Sequence, residues 1–309
     1  MPESPSETGK TILGYLRLLR PPNILTAWAD ILAGTAIAGA WAVHDGWPIL
    51  EVGSIGQICW LVLATTGLYG GGVVLNDYFD ADLDAEERPE RPIPSGAVSK
   101  RGAGIWGATW MLTGIFAAFQ AGMISGWIAS IIALLVVLYD SWGKHQPILG
   151  PINMGMCRGF NLLLGVSLVT AALIPKLWMG LIPIVYIGAI TLISRGEVHG
   201  GNRRHLNLAL GLYALVVLAI FGIGIQSVAQ PWAFVPFTLL FAYWVFPPVW
   251  KARQTPNAGN VMKAVKAGVI ALIMLNAAIA ACFAGWIFAL GILLLLPLSM
   301  GLARLFAVT

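Results

Sequence analysis

Charge is scarce in this chain: 10% of its 309 residues are Asp, Glu, Lys or Arg and 58% are hydrophobic. A soluble domain has roughly 25% charged and 45–50% apolar residues, so a soluble globular fold is excluded. A nucleic-acid surface is excluded too, because the net charge of +4 is accompanied by no basic stripe and is what a membrane protein accumulates on its cytoplasmic loops. Cysteine is nearly absent. Cys59, Cys157 and Cys282 are single, apolar-flanked and odd in number, which reads as small buried hydrophobes and not as a disulfide framework. The four histidines, His44, His145, His199 and His205, show no H-x-x-x-H or H-E-x-x-H spacing, so zinc chemistry has no basis. The polar segment Met-Pro-Glu-Ser-Pro-Ser-Glu at the N-terminus lacks the basic and apolar regions of a cleavable signal peptide.

What the chain does have is long apolar runs. About twenty such residues cross a hydrocarbon core of about 30 Å, and ten candidate spans follow: 23–43, 54–75, 102–122, 123–138, 152–174, 177–193, 206–227, 231–249, 261–283 and 286–306. The reading is an all-α, polytopic membrane bundle of nine or ten transmembrane helices around a central cavity. Residues 1–22 form a cytoplasmic or interfacial segment, with an amphipathic run at Tyr15-Leu-Arg-Leu-Leu-Arg20, and 23–309 a single transmembrane domain. Of the 18 basic residues, 17 fall in one set of loops and only Lys176 in the other, which assigns both termini and the first set to the cytoplasm. Trp41, Trp47, Trp127, Trp232 and Trp286 lie near span ends as interface anchors. Gly67 and Gly71 form a G-x-x-x-G pair that lets a neighbouring helix approach the second span.

Immediately after that span comes N-D-Y-F-D-A-D-L-D-A-E-E-R-P-E-R-P-I-P-S-G, residues 76–96. If the helix continues through Asp84 at about 100° per residue, Asn76, Asp77, Asp80 and Asp84 share one face and Asp82 is turned away. Carboxylates held that close need a cation among them, and oxygen-only ligands suit Mg²⁺ shared with phosphate oxygens. Arg88 and Arg91 then take the remaining phosphate charge. An acidic solvated loop is the plain alternative, but it does not require the N-x-x-x-D-x-x-x-D spacing.

Two further polar stretches follow. Ser194 to Arg204 carries Arg195, Glu197, His199 and Asn202 on the same side as the acidic stretch, four helices later, as in a duplicated half; it reads equally as an ordinary basic loop. Tyr139-Asp-Ser-Trp-Gly-Lys144 precedes Cys157-Arg-Gly-Phe-Asn161, in which Arg158 and Asn161 occupy the first turns of an apolar span, where an unpaired charge is costly.

The motif N-D-x-x-D-x-x-x-D followed by R-P-x-x-R-P-I-P-S-G resembles the first aspartate-rich motif of the UbiA superfamily of intramembrane prenyltransferases. Leu19-Arg-Pro-Pro-Asn23 and Tyr139 to Lys144 are similar to that family as well. The runs L-R-P-P-N-I-L-T-A-W-A-D and C-R-G-F-N-L-L-L-G resemble the divergent EboC-type branch. The resemblance implies a lipid-open cavity with its polar end at the cytoplasm, in a bacterial inner membrane. It implies Mg²⁺ held by Asn76, Asp77, Asp80 and Asp84, with Glu197 in the second motif, and an isoprenyl diphosphate donor. Asn23, Arg88, Arg91, Lys144, Arg158, Asn161, Arg195 and His199 are the implied substrate contacts, Tyr139 a ring that stabilises the allylic cation, and Asp140 an acceptor of the acceptor's proton. The family has nine spans and two or three aspartates in its second motif; this chain offers ten runs and, there, only Glu197.

The expected activity is therefore Mg²⁺-dependent transfer of an isoprenyl group to an aromatic or lipid-like acceptor. A non-catalytic isoprenoid carrier on the same fold is the alternative, motivated by the thinned second motif. A CDP-alcohol phosphotransferase requires D-G-x-x-A-R, which the chain lacks.

Overall fold

The computed structural model describes residues 7–146, 148–196, 200–226 and 230–306. The first helix, α1 (Glu7–Leu18), is too short to cross a bilayer. It lies against the turn before α5, where a Cβ on Gly14 would sit 2.8 Å from Val98 Cγ2. The second, α2 (Pro21–Ile37), begins on two prolines, tolerated in a first turn because no intrahelical N–H is needed there.

The sequence reading carried the first span to residue 43, and the structure corrects it. Helix α2 stops at Ile37, and β1 (Trp41–His44) pairs antiparallel with β2 (Trp47–Leu50), Trp41 opposite Leu50 and His44 opposite Trp47. The two-residue turn between them is Asp45-Gly46 with φ of 49° and 85°. Asp-Gly between short alternating runs is a strong hairpin signal because both positions tolerate positive φ. This hairpin is the one addition to the all-α class among the described residues. Trp41 packs its ring against Phe288, centroids 4.8 Å apart, so the hairpin covers one end of the bundle.

Helix α3 (Ile55–Phe79) is capped by Ser54, whose Oγ accepts from Gln57 N at 3.2 Å. It crosses α5 (Lys100–Ala121) as the glycine spacing requires: a Cβ on Gly67 would lie 2.5 Å from Trp110 O, and one on Gly71 2.8 Å from Gly107 O. Between them, α4 (Ala81–Glu87) continues α3 through Asp80. Asp80, at φ −88° and ψ 2°, marks a slight break, but backbone bonds cross it, Asp80 N to Asn76 O at 2.9 Å and Asp84 N to Asp80 O at 2.8 Å.

The remaining helices are α6 (Met123–Ser141), α7 (Leu149–Val166), α8 (Thr170–Lys176), α9 (Leu181–Ser194), α10 (Arg203–Gly224), α11 (Val235–Gln254), α12 (Ala258–Leu293) and α13 (Leu295–Phe306). The expected span 152–174 is divided: α7 ends at Val166 and α8 restarts at Thr170, with Pro175 inside it. Gly34 of α2 and Gly165 of α7 meet backbone to backbone, leaving no room for a Cβ on either.

Six segments among the described residues are helical, long and apolar enough to cross a membrane: Ile55–Phe79, Lys100–Ala121, Met123–Ser141, Thr170–Ser194, Arg203–Gly224 and Ala258–Phe306. The last of these is two passes, because Gly285 at φ 77° breaks α12. Trp286 N donates to Gln230 Oε1 at one end, and Ser299 Oγ donates to Pro22 O near the other. With α2, α7 and α11, shorter or more polar, ten passes result, matching the upper expected number. The protein is an integral, multi-pass membrane protein with an all-helical bundle.

Candidate functional site

The polar end of the bundle gathers where α3 and α4 emerge. Asp82 projects away from the other carboxylates: its side chain is 92% exposed and pairs with Lys100 at 3.0 Å. Asp77 and Asp84 are buried, and each is held by arginine. Arg20 Nη2 lies 2.7 Å from Asp77 Oδ1, and Arg91 Nη1 bridges Asp77 Oδ1 at 3.3 Å and Asp84 Oδ2 at 2.6 Å. Asp80 is met by Lys144 Nζ at 2.5 Å. Three carboxylates face three cations, a charge-assisted network whose members are all at most a quarter exposed.

Among the described residues, no three His, Cys, Asp or Glu side chains converge on one point as a metal cluster. The physical reason is visible in the pairing: each carboxylate is turned to a basic group and not to its neighbours. The donor chemistry nevertheless fits Mg²⁺, since Asn76, Asp77, Asp80 and Asp84 offer only hard oxygens from one nearly continuous helical face.

Next to this network a cavity of about 260 Å³ opens into the bundle, walled by α3, α6, α7, α9 and α12. Its rim is polar, with Arg20, Asn76, Tyr139 and Asp140; its walls are apolar, with residues such as Leu68, Ile132, Ile190 and Leu272. Asn76 Nδ2 donates to Asp140 Oδ1 at 3.0 Å. The other oxygen, Asp140 Oδ2, is buried without a hydrogen-bond partner.

Arg158 and Asn161 also line the cavity, and both are tied to a residue the sequence reading passed over. Asp30 of α2 is fully buried. Its Oδ2 lies 3.1 Å from Arg158 Nε and accepts from Asn161 Nδ2 at 2.9 Å, while Oδ1 accepts from Asn276 Nδ2 of α12 at 2.7 Å. Thr65 of α3 completes the set by donating to Asn161 Oδ1 at 2.7 Å. The guanidinium of Arg158 also stands over the Tyr69 ring, 5.7 Å from its centroid. A lone acidic residue in an otherwise apolar run was the available signal. Arg20, which the sequence places in the Leu19-Arg-Pro-Pro-Asn23 element and among the cytoplasmic charges but not among the site residues, reaches both the carboxylates and the cavity.

Other expected contacts lie elsewhere. Asn23 sits in the first turn of α2, its carbonyl accepting from Thr26 Oγ1 at 2.7 Å, and it is not part of the cavity wall. Arg88 is exposed at the end of α4 and forms no ion pair among the described residues. Arg195 is exposed at the end of α9. Glu197 and His199 lie outside the described residues. The loop that carries them is tied down after that point, where Gly201 N donates to Pro256 O at 3.1 Å.

A family model described as the UbiA prenyltransferase family matches residues 32–258. A digeranylgeranylglyceryl phosphate synthase from Methanosarcina mazei is 35% identical over 162 residues, covering 50% of this chain and 54% of the relative. The chain spans about half the length of this relative and of a second one from Methanothrix thermoacetophila. Among solved structures, the apo form of a UbiA homolog from Aeropyrum pernix K1 aligns with a TM-score of 0.67 at 16% identity, covering 83% of this chain and 96% of that one. A UbiA homolog from Archaeoglobus fulgidus bound to DMAPP and Mg²⁺ aligns with a TM-score of 0.59 at 14% identity, covering 86% and 98%. At such identities these two likenesses carry the fold. None of these matches bears on the EboC-type likeness, and all come from archaea, so they lend nothing to a bacterial inner membrane.

Proposed function

The chain belongs to the UbiA prenyltransferase family, and from that premise we propose that it transfers an isoprenyl group from its diphosphate to a hydrophobic acceptor, lipid-like or aromatic, with Mg²⁺ as cofactor. The observation that carries the proposal is the adjacency of the Asn76–Asp84 face, with Arg20, Arg91 and Lys144, to the polar rim of an apolar cavity. The relative from Methanosarcina mazei is a digeranylgeranylglyceryl phosphate synthase, which favours a glyceryl phosphate lipid over an aromatic acceptor and transfer over carriage alone.

In this reading Asn76, Asp77, Asp80 and Asp84 hold the metal. Bound Mg²⁺ supplies neutralisation of the departing diphosphate. Arg20, Arg91 and Lys144 exchange their carboxylate partners for phosphate oxygens, so fixed positive charge follows the leaving group as it forms. The apolar wall keeps water from the allylic carbon while its bond to the diphosphate oxygen breaks and the bond to the acceptor forms. Tyr139 presents a ring at the rim, where an electron-rich face stabilises a cation. Arg88, Arg195, Asn23 and His199 stand further from this core of the proposal, as outer contacts to substrate.

The test is to incubate purified protein with radiolabelled prenyl diphosphates of several lengths and with glyceryl phosphate, quinone and phenol acceptors, with and without Mg²⁺. Metal-dependent prenylation of one acceptor class is expected. Tight diphosphate binding with no product from any acceptor would replace the enzyme reading by the carrier reading.

A further inference from the structure

Beyond the cation-binding face itself stands a contact that neither the family nor the substrate explains. Asn76 ends the membrane part of α3, Asp140 ends α6, and the two meet at 3.0 Å with the amide nitrogen donating. We infer that Asp140 is a positioning residue for Asn76: it dictates which corner of the amide faces the site. The inference rests on the metal and diphosphate reading above.

The argument is one of donor and acceptor inventory. A primary amide carries an oxygen on one corner and an NH₂ on the other, so a half-turn of the amide exchanges a metal ligand for a group that repels a metal. Which corner faces which way is decided by its hydrogen-bond partners. A carboxylate only accepts, so it draws the NH₂ of Asn76 and drives the oxygen to the opposite side. Asn76 Oδ1 accepts no hydrogen bond among the described residues, and Asn76 is part of the cavity rim. Without Asp140 nothing holds the amide oxygen of Asn76 toward the site, and an N–H can turn to where a ligand oxygen is needed.

Burial adds a second observation. Asp140 is 3% exposed, and its Oδ2 has no partner. A buried carboxylate using one of two oxygens is unfavourable for the fold, so its presence is not accounted for by packing. Its neighbour in space, Lys144, is committed to Asp80. Among the described residues the one side-chain hydrogen bond of Asp140 is that to Asn76, and the two residues are 64 positions apart. This assignment differs from that of a base acting on the acceptor, and the two are separable by chemistry. With Asp at position 76 there is no amide to orient, so a positioning residue becomes dispensable there and a base does not.

The experiment is a calorimetric titration of Mn²⁺ into detergent-solubilised full-length protein saturated with a non-hydrolysable geranylgeranyl diphosphate analogue, with turnover measured alongside. Asp140→Asn, whose own amide can donate to Asn76 Oδ1 as readily as accept from Asn76 Nδ2, is expected to lose part of the Mn²⁺ affinity. Asp140→Ala is expected to lose metal affinity by about tenfold or more, the range seen when an outer-shell partner is removed. Asn76→Asp has oxygen at both corners and no orientation to set, so adding Asp140→Ala to it should cause no further loss. Asp140→Asn serves as the shape-preserving variant should Asp140→Ala prove unstable on thermal unfolding. If adding Asp140→Ala to Asn76→Asp lowers metal affinity or kcat as much as Asp140→Ala does alone, Asp140 acts by its charge or as a base and the inference falls. If wild type with the analogue binds no Mn²⁺, the metal reading itself falls first.

Discussion

Arg20 adopts φ 47° and ψ 62°, the left-handed region, which costs a non-glycine residue of order 1–3 kcal/mol. It is held there because its guanidinium ends 2.7 Å from Asp77. Replacing it by glycine removes the strain and the charge together. Arg20→Gly is therefore expected to leave the thermal midpoint near wild type while weakening diphosphate-analogue binding by about 1.5–3 kcal/mol, as for a hydrogen bond between charged groups. Unchanged analogue affinity in that variant would place Arg20 outside the site. Asp82 and Asp80 provide the matching contrast at two residues' distance. Asp80→Asn should abolish Mg²⁺-dependent analogue binding, whereas Asp82→Asn should leave it intact because that side chain is 92% exposed and faces Lys100. Equal damage from both would contradict the helical-face argument.

At the scale of elements, the bundle is locked by close glycine crossings and by one polar clasp. On α3, Gly67 and Gly71 ride against the backbone of α5. Gly67→Leu is expected to destabilise by about 1–3 kcal/mol through overpacking, read as a lower unfolding midpoint in detergent. Gly211 of α10 has nothing within 4 Å of a built Cβ, and Gly211→Ala should be neutral or slightly stabilising; a reversal of that order would mean that the α3–α5 crossing is looser than described. The clasp is Asp30 with Arg158, Asn161 and Asn276, joining α2, α7 and α12. Removing one member of a buried ion pair strands the other, at about 3–5 kcal/mol, and replacing both by apolar residues of similar volume is far less damaging. Asp30→Leu should therefore unfold at much lower temperature than the Asp30→Leu/Arg158→Met double variant. If the double variant were the worse of the two, the pair would be doing something other than neutralising its own charges.

For the whole molecule, the ends of the passes sort by charge. Arg20, Lys144, Arg203 and Lys251 stand at or just past helix ends, and Arg91 in the loop after α4, on the side of the carboxylate network, and Lys176 stands on the other, over the Phe283 ring at 5.2 Å. Single cysteines placed near Asp82, Lys144, Asn202 and Thr255 should be labelled by an impermeant reagent only from the cytoplasm. Those near Asp45, Lys176 and Gln230 should be labelled only from the opposite face. A mixed pattern within either set would overturn the ten-pass arrangement.

The sequence alone determined the class and the address of the site. Apolar runs of span length allow little but membrane helices, because backbone polar groups have no other partner in lipid, and the period of N-x-x-x-D-x-x-x-D puts four oxygens on one face with Asp82 opposite. The Asp45-Gly46 pair is a turn signal that the sequence carries, but the hairpin emerged only in the structure, because its first strand (Trp41–His44) overlaps the end of the apolar run 23–43. Tertiary structure decided which charges meet. Asp30 and Arg158 are 128 positions apart, and Asp30 and Asn276 are 246, so no local period relates them. Whether Arg158 is a substrate contact, a neutralised core charge or both depends on a helix crossing at Gly34 and Gly165 that no single segment specifies. The same holds for Arg20 with Asp77 and for Asp140 with Asn76: charge is long-ranged and indifferent to sequence order, and only the packed bundle chooses its partners.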